Sequence, residues 1–184
     1  MTTGQTRLVV PVGPADHMLG RDEAAITLVE YGDYECSYCG TAFGIVKELL
    51  AALGDRVRFV FRNMPLAEVH PHAEHAAEAA EAVALQGRFW PMHDLLYQHQ
   101  DDLADPSLLR YAKEAGADVT EVVRVLETGL ARDRVTQDVE GAFRSGVRGT
   151  PTFFVNGVRY EGSWEFGPFR EHLEAVLDRL LRLR

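Results

Sequence analysis

Cys36 and Cys39 are the only cysteines in the chain, and two residues separate them. On a helix, positions three apart share a face, so the two sulfurs can meet and close a disulfide. Ahead of them runs Leu28-Val29-Glu30-Tyr31, apolar and β-branched, and an amphipathic pattern follows at once. That reads as a buried strand delivering a dithiol onto the first turn of a helix. Cys36, at the start, would sit among unpaired backbone N–H groups and the positive end of the macrodipole. Both favour a thiolate, the nucleophile of disulfide exchange. The chemistry that this spacing suits is thiol–disulfide exchange.

Three plainer readings compete. A lone C-x-x-C is half of a zinc site, but a structural site takes four ligands, and histidines would have to supply the rest. Two inert core cysteines are a second option, since free Cys is often buried. In the third, the pair serves only as a redox sensor on a binding module. His70, His72 and His75 cluster around Pro71, with Glu74 and Glu78 within reach, yet no H-E-x-x-H pattern appears. No metal is expected there. Phe89, Trp90 and Met92 read as packing residues rather than a cofactor box, and no cofactor is expected.

The elements that must position the dithiol follow from periodicity. Residues 1–20 read as an arm, with Leu8 to Val12 as an edge strand. Ile26 to Tyr31 is a strand, and the helix from Cys36 places Phe43, Val46, Leu49, Leu50 and Leu53 on one stripe. Arg56 to Arg62 alternates arginines with Val57, Phe59 and Phe61, a strand with one buried face. Together these make a βαβ unit, expected to be parallel. From Pro71 to Ser145 the pattern is helical throughout. It includes a small-residue stripe (Ala73, Ala76, Ala77, Ala80) and an Asp105-Pro106-Ser107 start with Asp105 as the cap. Phe153 to Val155 and Val158 to Tyr160, split by Asn156-Gly157, spell a β-hairpin. Gly167-Pro168 opens a last helix, with Phe169, Leu173, Val176, Leu177, Leu180 and Leu181 inward.

A chain of 184 residues, 46% hydrophobic and 26% charged, suits one soluble domain or one domain with a large insertion. A net charge of −9 argues against nucleic acid or an anionic membrane surface as partner. No apolar run approaches the ~20 residues of a transmembrane helix, so no membrane insertion is expected. Leu8-Val9-Val10 before Pro11 falls short of the ~7–15 residue core of a signal peptide, and a cytoplasmic location is the expectation.

The order βαβ, helical block, ββα, with C-x-x-C at the first helix and Gly149-Thr150-Pro151 before the hairpin, resembles the thioredoxin fold. It is most similar to the DsbA-like branch. The resemblance rests on Tyr31 to Cys39, Phe59 to Leu66, Gly87 to Trp90 and Gly146 to Pro151, and so covers nearly the whole chain. It implies an α/β, thioredoxin-like fold interrupted by an all-helical insertion. Residues 21–66 and 147–184 would form the thioredoxin-like part and 67–146 the insertion. It also implies a protein-disulfide oxidoreductase, whether reductase, isomerase or oxidase, acting as a monomer on protein or peptide thiols and disulfides with a separate recycling partner. Cys36 matches the attacking cysteine and Cys39 the resolving one. Pro151 matches the cis-proline facing the disulfide, and Thr150 the residue whose backbone pairs with substrate. Glu30 falls where the family keeps a buried acid that takes the proton of the resolving thiol. Ser37 and Tyr38, between the cysteines, would border the substrate. This dipeptide carries no positive charge, and Asp33 and Glu35 nearby would oppose a thiolate if unscreened.

Overall fold

The structure, a computed structural model, describes residues 6–183. Its centre is the parallel pair β2 (Ile26–Gly32) and β3 (Val57–Asn63), joined by α1 (Ser37–Leu53) and a short 3-10 turn. The hairpin of β4 (Thr152–Val155) and β5 (Val158–Arg159) adds to the β2 edge. Asn156 at φ 48° and Gly157 at φ 77° make its turn, and two positive φ angles suit the right-handed twist of the strands. Beyond β3 lies β1 (His17–Leu19), antiparallel, so the sheet runs β1-β3-β2-β4-β5 among the described residues. Between β3 and β4 the chain forms α2 (Ala73–Ala84), α3 (Phe89–Gln98), α4 (Asp105–Glu114), α5 (Val119–Thr128) and α6 (Leu130–Arg144). It ends in α7 (Phe166–Arg182). This is the α/β order, a sheet interrupted by a helical block, that the resemblance implied.

Period-two alternation sorts the strand residues into two cores. Leu28, Phe59, Phe61 and Phe153 pack with Val46 and Leu49 of α1 and with Phe169 and Leu173 of α7. On the opposite face Val29, Tyr31, Val60 and Phe154 meet Ala142 of α6, Met64 and Val147. Strand β3 therefore buries both faces, where its arginines suggested one. Arg62 is only 3% exposed, and it is tolerated because its donors are all engaged. They reach both oxygens of Asp16 (2.8 and 2.9 Å), the carbonyls of Val10 (2.9 Å) and Pro11 (3.1 Å), and the Tyr31 hydroxyl (3.0 Å).

That clamp explains a second departure from the sequence reading. Leu8 to Val12 is not a strand. Only Arg7 bridges to Val158, while Val10 and Pro11 give their carbonyls to Arg62. The edge strand falls instead at His17–Leu19, three residues too short to show alternation. Asp105 also departs: it lies inside α4, whose cap position is Ala104, and bonds His75 Nδ1 at 2.8 Å. Leu181, expected inward, is exposed. Helix α2 is buried nearly all round, from Ala76 to Val83, since its small side chains let neighbouring helices approach closely. Among the described residues no helix is long and apolar enough to cross a membrane.

Candidate active site

Strand β2 ends at Gly32, and the next four residues carry the chain to the start of α1, where Cys36 is the N-cap and Cys39 lies in the first turn. Cys36 is 4% exposed and Cys39 is fully buried, so the outer sulfur presents only a sliver to solvent. Both are free thiols. The Cys36 thiol is held down at about 5, first by the hydrogen bond from the Cys39 side chain, which outweighs burial, and further by the backbone N–H groups of Cys39 and Tyr38. Those amides are unpaired at a helix start, so the helix itself supplies the donors. Cys39 is pushed the opposite way, by burial and by its neighbour sulfur, and stays a thiol.

The Thr150–Pro151 peptide bond is cis, and it brings Thr150 against the dithiol. Cys36 Sγ donates to the Thr150 carbonyl at 3.5 Å. The Thr150 hydroxyl is buried with no hydrogen-bond partner in the protein, and its nearness favours the Cys36 thiolate. Ser37 and Tyr38 are exposed, Tyr38 by 66%. Both stand on the outer side of the first turn beside Cys36.

Glu30 projects from β2 on the α1 face of the sheet, with Phe61 of β3 on one side and Phe153 of β4 on the other. It is 2% exposed, and its Oε1 has no hydrogen-bond partner. Burial, with the Cys36 charge adding to it, raises the carboxyl to about 8. A cleft of about 20 Å³ reaches it between α1 and α3, lined by Phe43, Lys47, Trp90, His93 and Tyr97. His93 is kept neutral, down to about 3, by burial and then by Lys47 and His17, and its Nδ1 shares a hydrogen bond of 3.1 Å with the Tyr34 hydroxyl.

The sequence reading missed the groups that hold the loop. Asp33 does not stand free. Its carboxylate accepts from the backbone N–H groups of Glu35 and Leu66 and from His70 Nδ1, each at 2.8 Å. Glu35 accepts from the N–H of His72 at 2.6 Å and from its Nδ1 at 2.9 Å. Burial pushes Glu35 up, but the His72 bonds outweigh it and hold the carboxyl below the usual carboxylate range. The histidines that looked like metal ligands are thus each turned to a different acid: His70 to Asp33, His72 to Glu35, His75 to Asp105. Among the described residues no cluster of His, Cys, Asp and Glu could hold a metal ion. Gln100, in the loop after α3, donates its amide to the carbonyls of Tyr34 (2.7 Å) and Cys36 (3.0 Å). Gly40 leaves room for it, because a Cβ there would meet Gln100 Oε1. Nothing in the sequence ties residue 100 to residue 36. The paired spacing of Asp33/Glu35 and His70/His72 was the one available hint.

Comparison with known proteins bears on this geometry. A family model described as thioredoxin matches residues 13–175. A thioredoxin-like oxidoreductase from Silicibacter pomeroyi superimposes with a TM-score of 0.78 at 30% identity, over 92% of this chain and 94% of that one. BdbD from Bacillus subtilis, in its oxidised form, gives 0.77 at 25% identity, over 89% and 93%. A curated relative from Salinispora tropica, a Na(+)/H(+) antiporter NhaA 3, is 51% identical over 158 residues. That match takes in 85% of this chain but 24% of the antiporter, so the chain spans about a quarter of that relative's length.

Proposed function

The chain belongs to the thioredoxin family, and on that footing we propose that it exchanges disulfides with protein or peptide thiols through Cys36 and Cys39. One observation carries the reading: two sulfurs on one helical turn with opposite proton affinities, Cys36 favouring the thiolate and Cys39 the thiol. The thioredoxin-like oxidoreductase of similar fold supports the general class.

In the reducing direction the Cys36 thiolate attacks one sulfur of a substrate disulfide, and the other sulfur leaves as a thiolate. A mixed disulfide remains. Forming the mixed disulfide removes the Cys36 charge, one of the two causes that hold the proton on Glu30, and Glu30 in its ionised form then accepts the proton of Cys39. The Cys39 thiolate attacks Cys36 Sγ and releases the second substrate thiolate. Two electrons have passed from the protein dithiol to the substrate, and the reverse sequence oxidises a substrate dithiol. In this reading the Thr150 backbone, against Cys36, pairs with an extended substrate, and Ser37 and Tyr38 border it.

The test is trapping. Cys39→Ser retains the attacking thiolate but not resolution, so a peptide disulfide should accumulate as a mixed disulfide on Cys36. Cys36→Ser should trap nothing. Equal trapping by both variants would dismiss the assigned roles.

A second reading has its own support in the antiporter relatives. Here the dithiol is a redox sensor serving an associated ion transporter, and it is oxidised once rather than turned over. Multiple turnovers of a peptide disulfide under excess dithiol would reject it, and a single stoichiometric oxidation would favour it.

A further inference from the structure

We propose that His70, held by Asp33, is the cation that stabilises the Cys36 thiolate, a charge delivered from the loop after β3 instead of from between the two cysteines. The inference deepens the reading of Cys36 as nucleophile and rests on it. The local arrangement is specific. Asp33 is wholly buried, and its backbone carbonyl accepts from the N–H of Cys36 at 3.3 Å. Its carboxylate spans from Glu35 to Leu66 and ends on His70 Nδ1, so one residue fastens both the imidazole and the nucleophile's backbone. The His70 ring remains 24% exposed, open enough to hydrate a proton yet fixed by a 2.8 Å bond.

Of the negative groups on the turn between β2 and α1, Asp33 bonds His70 directly, and Cys36 and Glu35 act on it through their charge. On its own loop the neighbouring histidine, His72, is turned to Glu35. Burial works against a charged His70, but the bond to Asp33, its negative charge and those of Cys36 and Glu35 prevail and raise the imidazole above its ordinary value. Coupling between two titrating groups is reciprocal. If a Cys36 thiolate favours the imidazolium, the imidazolium favours the thiolate by the same free energy. The two acids that would oppose a thiolate are thereby converted into holders of histidines, and Asp33 becomes a positioning residue for His70.

The coupling predicts a redox-linked histidine. Following the His70 imidazole by NMR through a pH titration of the intact chain, the midpoint should lie higher with reduced Cys36 than with the Cys36–Cys39 disulfide or in Cys36→Ser. His70→Asn keeps a neutral donor for Asp33, and it should lower the thiolate fraction of Cys36 at pH 5, read by thiolate absorbance, about threefold. Well above the His70 midpoint the variant and the native chain should converge. His72→Asn should move the Cys36 titration less than His70→Asn. Equal His70 midpoints in the two redox states, or an unchanged Cys36 titration in His70→Asn, would overturn the proposal. Alkylation mapping separates this from failure of the parent reading. If Cys36 is modified first but is indifferent to His70, only this inference falls. If Cys39 is modified first, the nucleophile assignment falls instead.

Discussion

The two faces of the sheet bury carboxylates in opposite ways. On the α6 face Asp16 meets Arg62 through two parallel bonds and lies 3.6 Å from Arg134. Asp138 accepts from Arg134 at 2.9 Å and from the backbone and side-chain N–H groups of Asn63. Across the end of β3, toward the other face, Glu81 of α2 takes His17 and Asn63. Each of these buried acids has a donor, as a buried charge requires. On the α1 face Glu30 sits between two phenylalanines with an oxygen that nothing in the protein satisfies. The first arrangement holds the arm and α6 onto the sheet. The second stabilises nothing, and it lies behind a dithiol. Among these buried acids, the one with an oxygen that no donor reaches lies behind the dithiol, where the fold bears a cost for chemistry.

The strongest way to break that contrast is Arg62→Ala. It strips Asp16, two arm carbonyls and Tyr31 of their donor and leaves a buried carboxylate short of charge, at a cost of about 3–5 kcal/mol. Urea unfolding should show the loss, while the rate of Cys36 alkylation in the folded protein stays unchanged. A stable variant, or one with altered Cys36 reactivity, would merge the two faces into one system.

Glu30→Gln should do the reverse and stabilise. The folded carboxyl ionises near 8 against an ordinary 4.5, so the folded state holds this proton more tightly than the unfolded chain. The stability tied to the proton is fully present below pH 4.5 and is lost as pH rises from there to about 8. Removing the ionisation should flatten that slope and leave the variant roughly 3 kcal/mol more stable at pH 7. Denaturation at pH 5 and pH 8 measures it. Release of the mixed disulfide should slow in the same variant, whereas a parallel pH slope in both proteins would leave Glu30 without an ionisation to assign.

Much of this was readable beforehand, for identifiable reasons. Strand β2, helix α1 and the hairpin at Asn156-Gly157 each carry a local signal, a period or a turn that depends on neighbours in sequence. Cys36, Cys39, Thr150 and Pro151 came from motifs. What was hidden depends on distant partners. The polarity of Arg62 suggested an exposed face, because only residue 16 and the arm carbonyls reveal why it can be buried. The opposition expected from Asp33 and Glu35 is countered by His70 and His72, which no periodicity links to them. Three-residue β1 has too few positions to alternate. Local grammar revealed the elements, and pairing across the fold set their charges.

A smaller effect probes the clamp that ties the loop after α3 to the dithiol. Gln100→Ala removes two hydrogen bonds, to the carbonyls of Tyr34 and Cys36, and should cost about 1–2 kcal/mol. Gly40→Ala should cost a similar amount despite the helix preference for alanine, because its Cβ displaces the same amide. The double variant should then be no worse than Gln100→Ala alone, with Gly40→Ala neutral or helpful once the side chain is gone. Additive losses in urea titrations would show that the glycine serves something other than Gln100.

The smallest expected change in stability is also the sharpest test of the division between scaffold and site. Tyr38 stands 66% exposed on the outer side of the first turn of α1. An exposed side chain of this kind contributes within about 0.5 kcal/mol to stability, so Tyr38→Ala should unfold at nearly the same urea concentration as the native chain. It lies two residues from the thiol that a substrate must reach, and an exposed aromatic there can cover the apolar side chains of a bound peptide. The expected result is a KM for a peptide disulfide raised about threefold with kcat unchanged, the signature of binding lost equally from ground and transition states. A fall in kcat instead would mean that Tyr38 acts on the reacting sulfurs, and a large loss of stability would place it in the scaffold after all.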